Sequence, residues 1–112
     1  MSRSVHQTCL ERRMAQILSS LEVDYSEQVA TRSGFVIDFA IYVDRASNKK
    51  IAIETDGKHW HSSPEQRQRD GFRDHILRRN GWIILRFGEE FTREGVRECL
   101  NHTLTRLGVN PV

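Results

Sequence analysis

No apolar run in this chain is long enough to span a bilayer, and no charged, apolar and small-residue leader opens it. Neither a membrane span nor a secretory signal is therefore expected. Cysteine is scarce. Cys9 and Cys99 lie far apart, without CxxC spacing, in polar-apolar helical patterns. They read as small core residues rather than a disulfide, which suits a reducing, intracellular, cytoplasmic setting. Internal repeats and low-complexity tracts are absent. Net charge is also small, at +2, and does not by itself mark a nucleic-acid binder. What remains is a chain of 112 residues, 38% hydrophobic and 29% charged, the composition of one folded domain with little room for a second module.

The apolar spacing of Leu10, Met14, Ile17, Leu18 and Leu21 predicts a helix from about Ser4 to Ser20, with Glu11 beside the stripe. Val23 to Val29 reads as a short strand, and Ser33-Gly34 as a turn. Phe35 to Val43 is a strand with Phe35, Ile37, Phe39, Ile41 and Val43 on one face and Asp38, Ala40 and Tyr42 on the other. A polar turn over 45–50 returns the chain antiparallel into a strand from Ile51 to Asp56. That pairing gathers Asp38, Glu54 and Asp56 on one face. Ser63-Pro64-Glu65-Gln66 starts a helix that runs to about Asn80, with Phe72, Ile76 and Leu77 as apolar anchors and Asn80-Gly81 as its stop. Trp82 to Phe87 follows as a strand parallel to the Ile51 strand. Thr92 to Leu107 forms the last helix, with Val96, Leu100, Leu104 and Leu107 inward. The expected fold is α/β, ordered α-β-β-β-α-β-α, a small mixed sheet flanked by helices.

The stretch Glu54-Thr55-Asp56-Gly57-Lys58-His59-Trp60-His61 carries the chemistry. Carboxylates leave an apolar strand, and a glycine turn sets an indole and two imidazoles beside them. Hard oxygen ligands next to a titratable base suit a magnesium-type site that activates water. Asp38 and Glu54 supply a carboxylate pair. An acid between Val36-Ile37 and Phe39-Ala40 is costly unless it is paired or metal-bound. Asp56-Gly57 reads equally as a common turn or as a ligand. His61 is the best general base, because imidazole titrates near neutral pH; His59 is the weaker histidine. Asp56, His59 and His61 could instead hold zinc, but no fourth ligand is apparent. Lys58 could contact phosphate, although an exposed lysine is the default. Asp70, on the following helix, could orient His61 or hold a metal-bound water, with Arg73 one turn on as its ion-pair partner. From Glu65 to Arg86, Arg67, Arg69, Arg73, Arg78, Arg79 and Arg86 outnumber Glu65, Asp70 and Asp74. This segment reads either as a solvated helix face or as a track for a phosphate backbone.

The ordered set Asp38, Glu54-Thr55-Asp56 resembles the PD-(D/E)xK nuclease core, which places an acid on one strand and acid-x-lysine on the next. Here Asp56 stands at the lysine. The pattern Glu11, Asp38, Thr55-x-Gly57-x-x-Trp60-His61, Asp70 and Gly81-Trp82 also resembles the very-short-patch mismatch-repair endonucleases (the Vsr-like, or EDxHD, group) and the related catalytic domains of phage homing endonucleases. The resemblance covers about Glu11 to Phe87 and implies a restriction-endonuclease-like fold in a bacterial or phage-encoded enzyme. It implies that Asp38 and the Thr55 main-chain carbonyl ligate the metal, that His61 activates water, that Asp70 supports it and that Glu11 orders the metal's water shell. Glu54 stands where the classical nuclease acid stands. Trp60 matches an aromatic that mismatch enzymes wedge between base pairs, whereas His59 stands where their second wedge aromatic would be. Lys58 stands where those enzymes hold a zinc-binding cysteine, so no structural zinc is expected.

The expectation is a DNA endonuclease using Mg2+, or Mn2+ in its place, on double-stranded DNA. Lys58, Trp60, Arg67, Arg69 and Arg73 would contact the nucleic acid. Cutting both strands with one site would favour a homodimer. The length leaves either low sequence specificity or the role of catalytic piece in a longer protein. Two rivals stand beside this reading. One is a nuclease-like fold that holds nucleic acid without cutting. The other is a nuclease of the same fold acting on RNA or branched DNA.

Overall fold

A computed structural model of the chain describes residues 5–44, 46–55 and 63–112. The elements follow in the order α1 (Val5–Ser20), β1 (Ser26–Ala30), β2 (Val36–Asp44), β3 (Lys49–Thr55), α2 (Pro64–Arg79), β4 (Trp82–Phe87) and α3 (Arg93–Arg106). The four strands form one sheet in the order β1-β2-β3-β4, antiparallel except for the parallel β3–β4 pair that α2 connects. The expected α/β order and mixed sheet are thus observed. Among the described residues no helix is long and apolar enough to cross a membrane.

Element ends follow from local hydrogen bonding. Helix α1 closes with Glu22 in the left-handed region (φ 59°) and the Val23 N–H donating to the Leu18 carbonyl at 3.2 Å. Val23 is consumed in that cap, so β1 begins at Ser26 rather than at Val23. The Phe35 carbonyl accepts from the Thr31 N–H at 2.9 Å. That closes the β1–β2 turn and delays β2 to Val36. At α2 the Ser63 side chain accepts from the Gln66 N–H and Pro64 takes the first turn. Thr92 caps α3 in the same way through the Gly95 N–H.

One face of the sheet packs against α1 and α3, where Met14, Leu18, Phe39, Ile41, Ile51, Ile53, Val96 and Leu100 form the larger core cluster. The other face packs under α2 through Ile37, Ala40, Ala52, Leu77 and Trp82. Central β3 is buried from Ile51 to Thr55, so its acid, Glu54, is buried with it.

Several expectations are corrected. Phe35 and Ile37 join the α2 cluster instead of sharing a face with Phe39. The change of side falls at Asp38, where the facing β1 residue Gln28 has a positive φ of 51°. Phe72 is not an anchor. It is 63% exposed, because it lies well around the helix from the fully buried Leu77. Leu107 is half-buried, since the chain turns away there at the C-cap of α3. Cys9 is exposed and Cys99 half-buried, both as free thiols one position off the inward stripes of α1 and α3.

Candidate active site

The β2–β3 register pairs Phe39 with Ile53, and one step further it sets Asp38 opposite Glu54. The β3–β4 register pairs Glu54 with Arg86. Three ionisable side chains thus lie in a row across the sheet: acid, acid, base. Strand pairing puts Glu54 and Arg86 on the α2 face, the side of Ala52, whose short side chain leaves room for long ones.

Helix α2 completes the group from above. Arg73 hydrogen-bonds Glu54 Oε1 through Nη2, and the same nitrogen donates to the Val36 carbonyl at 2.9 Å. Arg73 Nη1 lies 3.5 Å from Asp74 Oδ1. Asp74, only 7% exposed, takes both Arg86 Nη nitrogens, at 3.1 and 3.0 Å. Such a bidentate fork is the strong form of the ion pair. Asp38 is held from the end of β3, where the Thr55 N–H donates to its Oδ2 at 3.0 Å and the Thr55 hydroxyl to the same oxygen at 3.4 Å. The Asp38 N–H points at Glu54 Oε2, 3.4 Å away.

Glu54 is the strained member. Burial, and then the neighbouring Asp38 carboxylate, push its pKa up to about 7, with Arg73 opposing both. Among the described residues three carboxylates face two guanidiniums in this cluster, an excess of one negative charge when Glu54 is ionised. A hard divalent cation would relieve that excess, and Mg2+ needs only one or two carboxylates beside waters and substrate phosphate. The donors Asp38, Glu54 and the Thr55 main-chain carbonyl are of the right chemistry for it. Among the described residues no cluster of three or more His, Cys, Asp or Glu forms a fuller cage.

The family model for REase_MTES_1575, a restriction-endonuclease-like domain, matches residues 10–106. The chain belongs to this family. No curated protein and no solved structure gave a match.

Within this REase_MTES_1575 domain, the residues singled out from the sequence fall into three groups. Asp38, Glu54 and Thr55 come together at the ends of β2 and β3. Glu11 is half-buried on α1, the helix over β3 on the opposite face of the sheet. Asp70 is half-buried on α2, one turn before Asp74 on the stripe that also carries Leu77. Arg67 and Arg69 are exposed on the first turns of that helix. Arg73 does not pair with Asp70; it reaches down to Glu54 and across to Asp74, because its side chain leaves the helix toward the sheet. Asp56, Lys58, His59, Trp60 and His61 lie outside the described residues. Sequence reasoning missed the part played by Asp74 and Arg86. The available signal was spacing, since Asp74 stands three residues before Leu77 and so shares its buried face.

Proposed function

We propose that this REase_MTES_1575 domain is a divalent-metal-dependent endodeoxyribonuclease that hydrolyses phosphodiesters in double-stranded DNA. The observation that carries this reading is the Asp38–Glu54 juxtaposition at the buried end of the central strand, with the Glu54 pKa pushed up to about 7 by burial and then by Asp38. An acid pair that resists full ionisation without a counter-ion is poised to bind one.

Asp38, Glu54 and the Thr55 carbonyl would hold Mg2+, or Mn2+ in its place. The bound ion would supply Lewis-acid compensation of charge on the phosphate. His61 would accept the proton of the attacking water, and Asp70 would orient that imidazole or a water beside it. The resemblance gives Glu11 the role of ordering the metal's water shell. Lys58, Arg67 and Arg69 would meet backbone phosphates, and Trp60 would press against the bases. Arg73 has a distinct part. The classical PD-(D/E)xK lysine is replaced by Asp56, and Arg73 brings a cation to Glu54 from α2 instead. The resemblance to the very-short-patch repair and homing endonucleases makes a homing or mismatch-repair-like enzyme the finer form of the proposal, with cutting of both strands favouring a homodimer.

Supercoiled plasmid incubated with Mg2+ or Mn2+, with EDTA as control, tests this reading. Metal-dependent nicking is expected. His61→Ala should lose cleavage while retaining binding. Binding without cutting under every metal condition would support the rival, a nuclease fold that only holds nucleic acid.

A further inference from the structure

Tyr42 and Lys50 stand four residues along β2 and β3 from Asp38 and Glu54, about 13 Å at the strand rise. There the sheet, the β1–β2 turn and the C-terminal end of α2 enclose a recess of about 490 Å³. Arg32, Lys50 and Arg79 line it, and among the described residues no carboxylate does. Among the described residues neither Arg32 nor Arg79 has a carboxylate partner. Lys50 Nζ donates to Asn48 Oδ1 at 3.0 Å and sits 4.9 Å from the centre of the Trp82 ring. Both partners are neutral, so among the described residues Lys50 has no carboxylate partner either. Three cations around one concavity raise its potential and favour an anion.

The recess is also braced. Asn48 Nδ2 donates to the Asn80 carbonyl at 3.2 Å. Gly81, at φ +95°, passes so close to Asn48 that a Cβ there would lie 2.6 Å from its Nδ2. One wall is aromatic: the Tyr42 ring packs 5.8 Å from that of Trp82 and is 40% exposed. Cations beside an exposed aromatic ring match a nucleotide, with phosphate on the first and base on the second.

We propose that this recess binds one unpaired nucleotide of the DNA strand engaged at the acid pair. Its phosphate lies among Arg32, Lys50 and Arg79, and its base against Tyr42. The domain would then select DNA with a displaced or single-stranded segment over flush duplex. The inference rests on the reading of DNA as the substrate and adds the form of DNA preferred.

Fluorescence anisotropy of labelled forked and blunt duplexes, in EDTA to prevent cutting, tests it. Tight binding of the fork is expected, several-fold above the blunt duplex. The Arg32→Gln/Arg79→Gln double variant should bind the fork about tenfold more weakly, with a shallower salt dependence, since each lost phosphate contact removes roughly 0.7–0.9 from the log–log slope. Tyr42→Leu should erase the preference for the fork. The exposed Arg106→Gln on α3 serves as the control. Unchanged fork affinity and slope in the double variant would overturn the proposal. So would a recess that serves only small anions: inorganic phosphate would then raise the melting temperature of the wild type but not of the double variant, with DNA binding equal in both. Nicking by the wild type with pocket-independent binding would remove this inference alone. Pocket-dependent binding without nicking under any metal would remove the nuclease reading and leave the pocket.

Discussion

Arg73 of α2 closes on the carboxylate of Glu54 in β3, with its guanidinium anchored by the Val36 carbonyl and shared with Asp74. Its positive charge and hydrogen bond hold down the pKa of a buried acid beside another acid. Removing it should raise the Glu54 pKa further and weaken cation binding. Arg73→Gln is therefore expected to cut nicking rates by at least about tenfold at neutral pH. Its pH–rate profile should rise at higher pH than that of the wild type. Arg73→Lys should recover part of both effects, because it keeps the charge but not the fork. A profile superimposable on the wild type would detach Arg73 from the site.

The two acids of α2 should separate by assay. Asp74 lies between Arg86 and Arg73, and Asp74→Ala removes the bidentate acceptor of Arg86 and one of the two carboxylates beside Arg73. Breaking a buried pair costs about 3–5 kcal/mol. Arg86 is partly solvated, so about 2–3 kcal/mol is expected, read as a fall of roughly 10 °C in melting temperature. Asp70→Asn, on a half-buried position, should melt within a few degrees of the wild type and lose cleavage. The opposite pattern would exchange the structural and catalytic assignments.

Glu54 also predicts how stability depends on pH. Its folded pKa, about 7, lies above the ordinary 4.5. The unfolded chain therefore releases this proton first, and stability is lost as pH rises from about 4.5 through 7. At 1.36 kcal/mol per unit the whole effect is at most about 3 kcal/mol. In EDTA, Glu54→Gln should be the more stable protein at pH 8 and should lack this part of the decline. Adding Mg2+ should stabilise the wild type at pH 8 and do less for the variant. Parallel melting curves across pH would show that Glu54 does not titrate in this range.

Core and surface of α2 should respond differently to truncation. Leu77 is fully buried, and Leu77→Ala should destabilise by about 2–5 kcal/mol. Phe72 is largely exposed, and Phe72→Ser should change stability by about 0.5 kcal/mol or less. Chemical denaturation midpoints measure both.

The elements were legible in the sequence because periodicity and caps report on backbone geometry directly. Alternation revealed β2, and Ser63-Pro64 and Asn80-Gly81 bounded α2. The Asp38–Glu54 pair was legible for the same reason, since a hairpin register aligns residues at predictable positions. The ion-pair network above it was not. Its members come from β2, β3, α2 and β4, and a helical acid such as Asp74 looks solvated until the parallel β3–β4 pairing brings Arg86 alongside Glu54. Phe72 misled because an aromatic side chain suggests burial, while its angular offset from Leu77 places it in solvent. The side change at Ile37 depends on Gln28, a distortion in the neighbouring strand that the β2 pattern does not encode.

The Asp38–Glu54 pair as a cation site for DNA cleavage is tested most directly by plasmid nicking with Asp38→Asn beside the wild type, in Mg2+ and in EDTA. Asn is nearly isosteric and can still accept the Thr55 N–H. The variant should therefore fold and bind DNA while its nicking rate falls by about 100-fold or more, to the EDTA level, a loss of roughly 2.7 kcal/mol or more in barrier lowering. Nicking by Asp38→Asn at the wild-type rate would contradict the assignment.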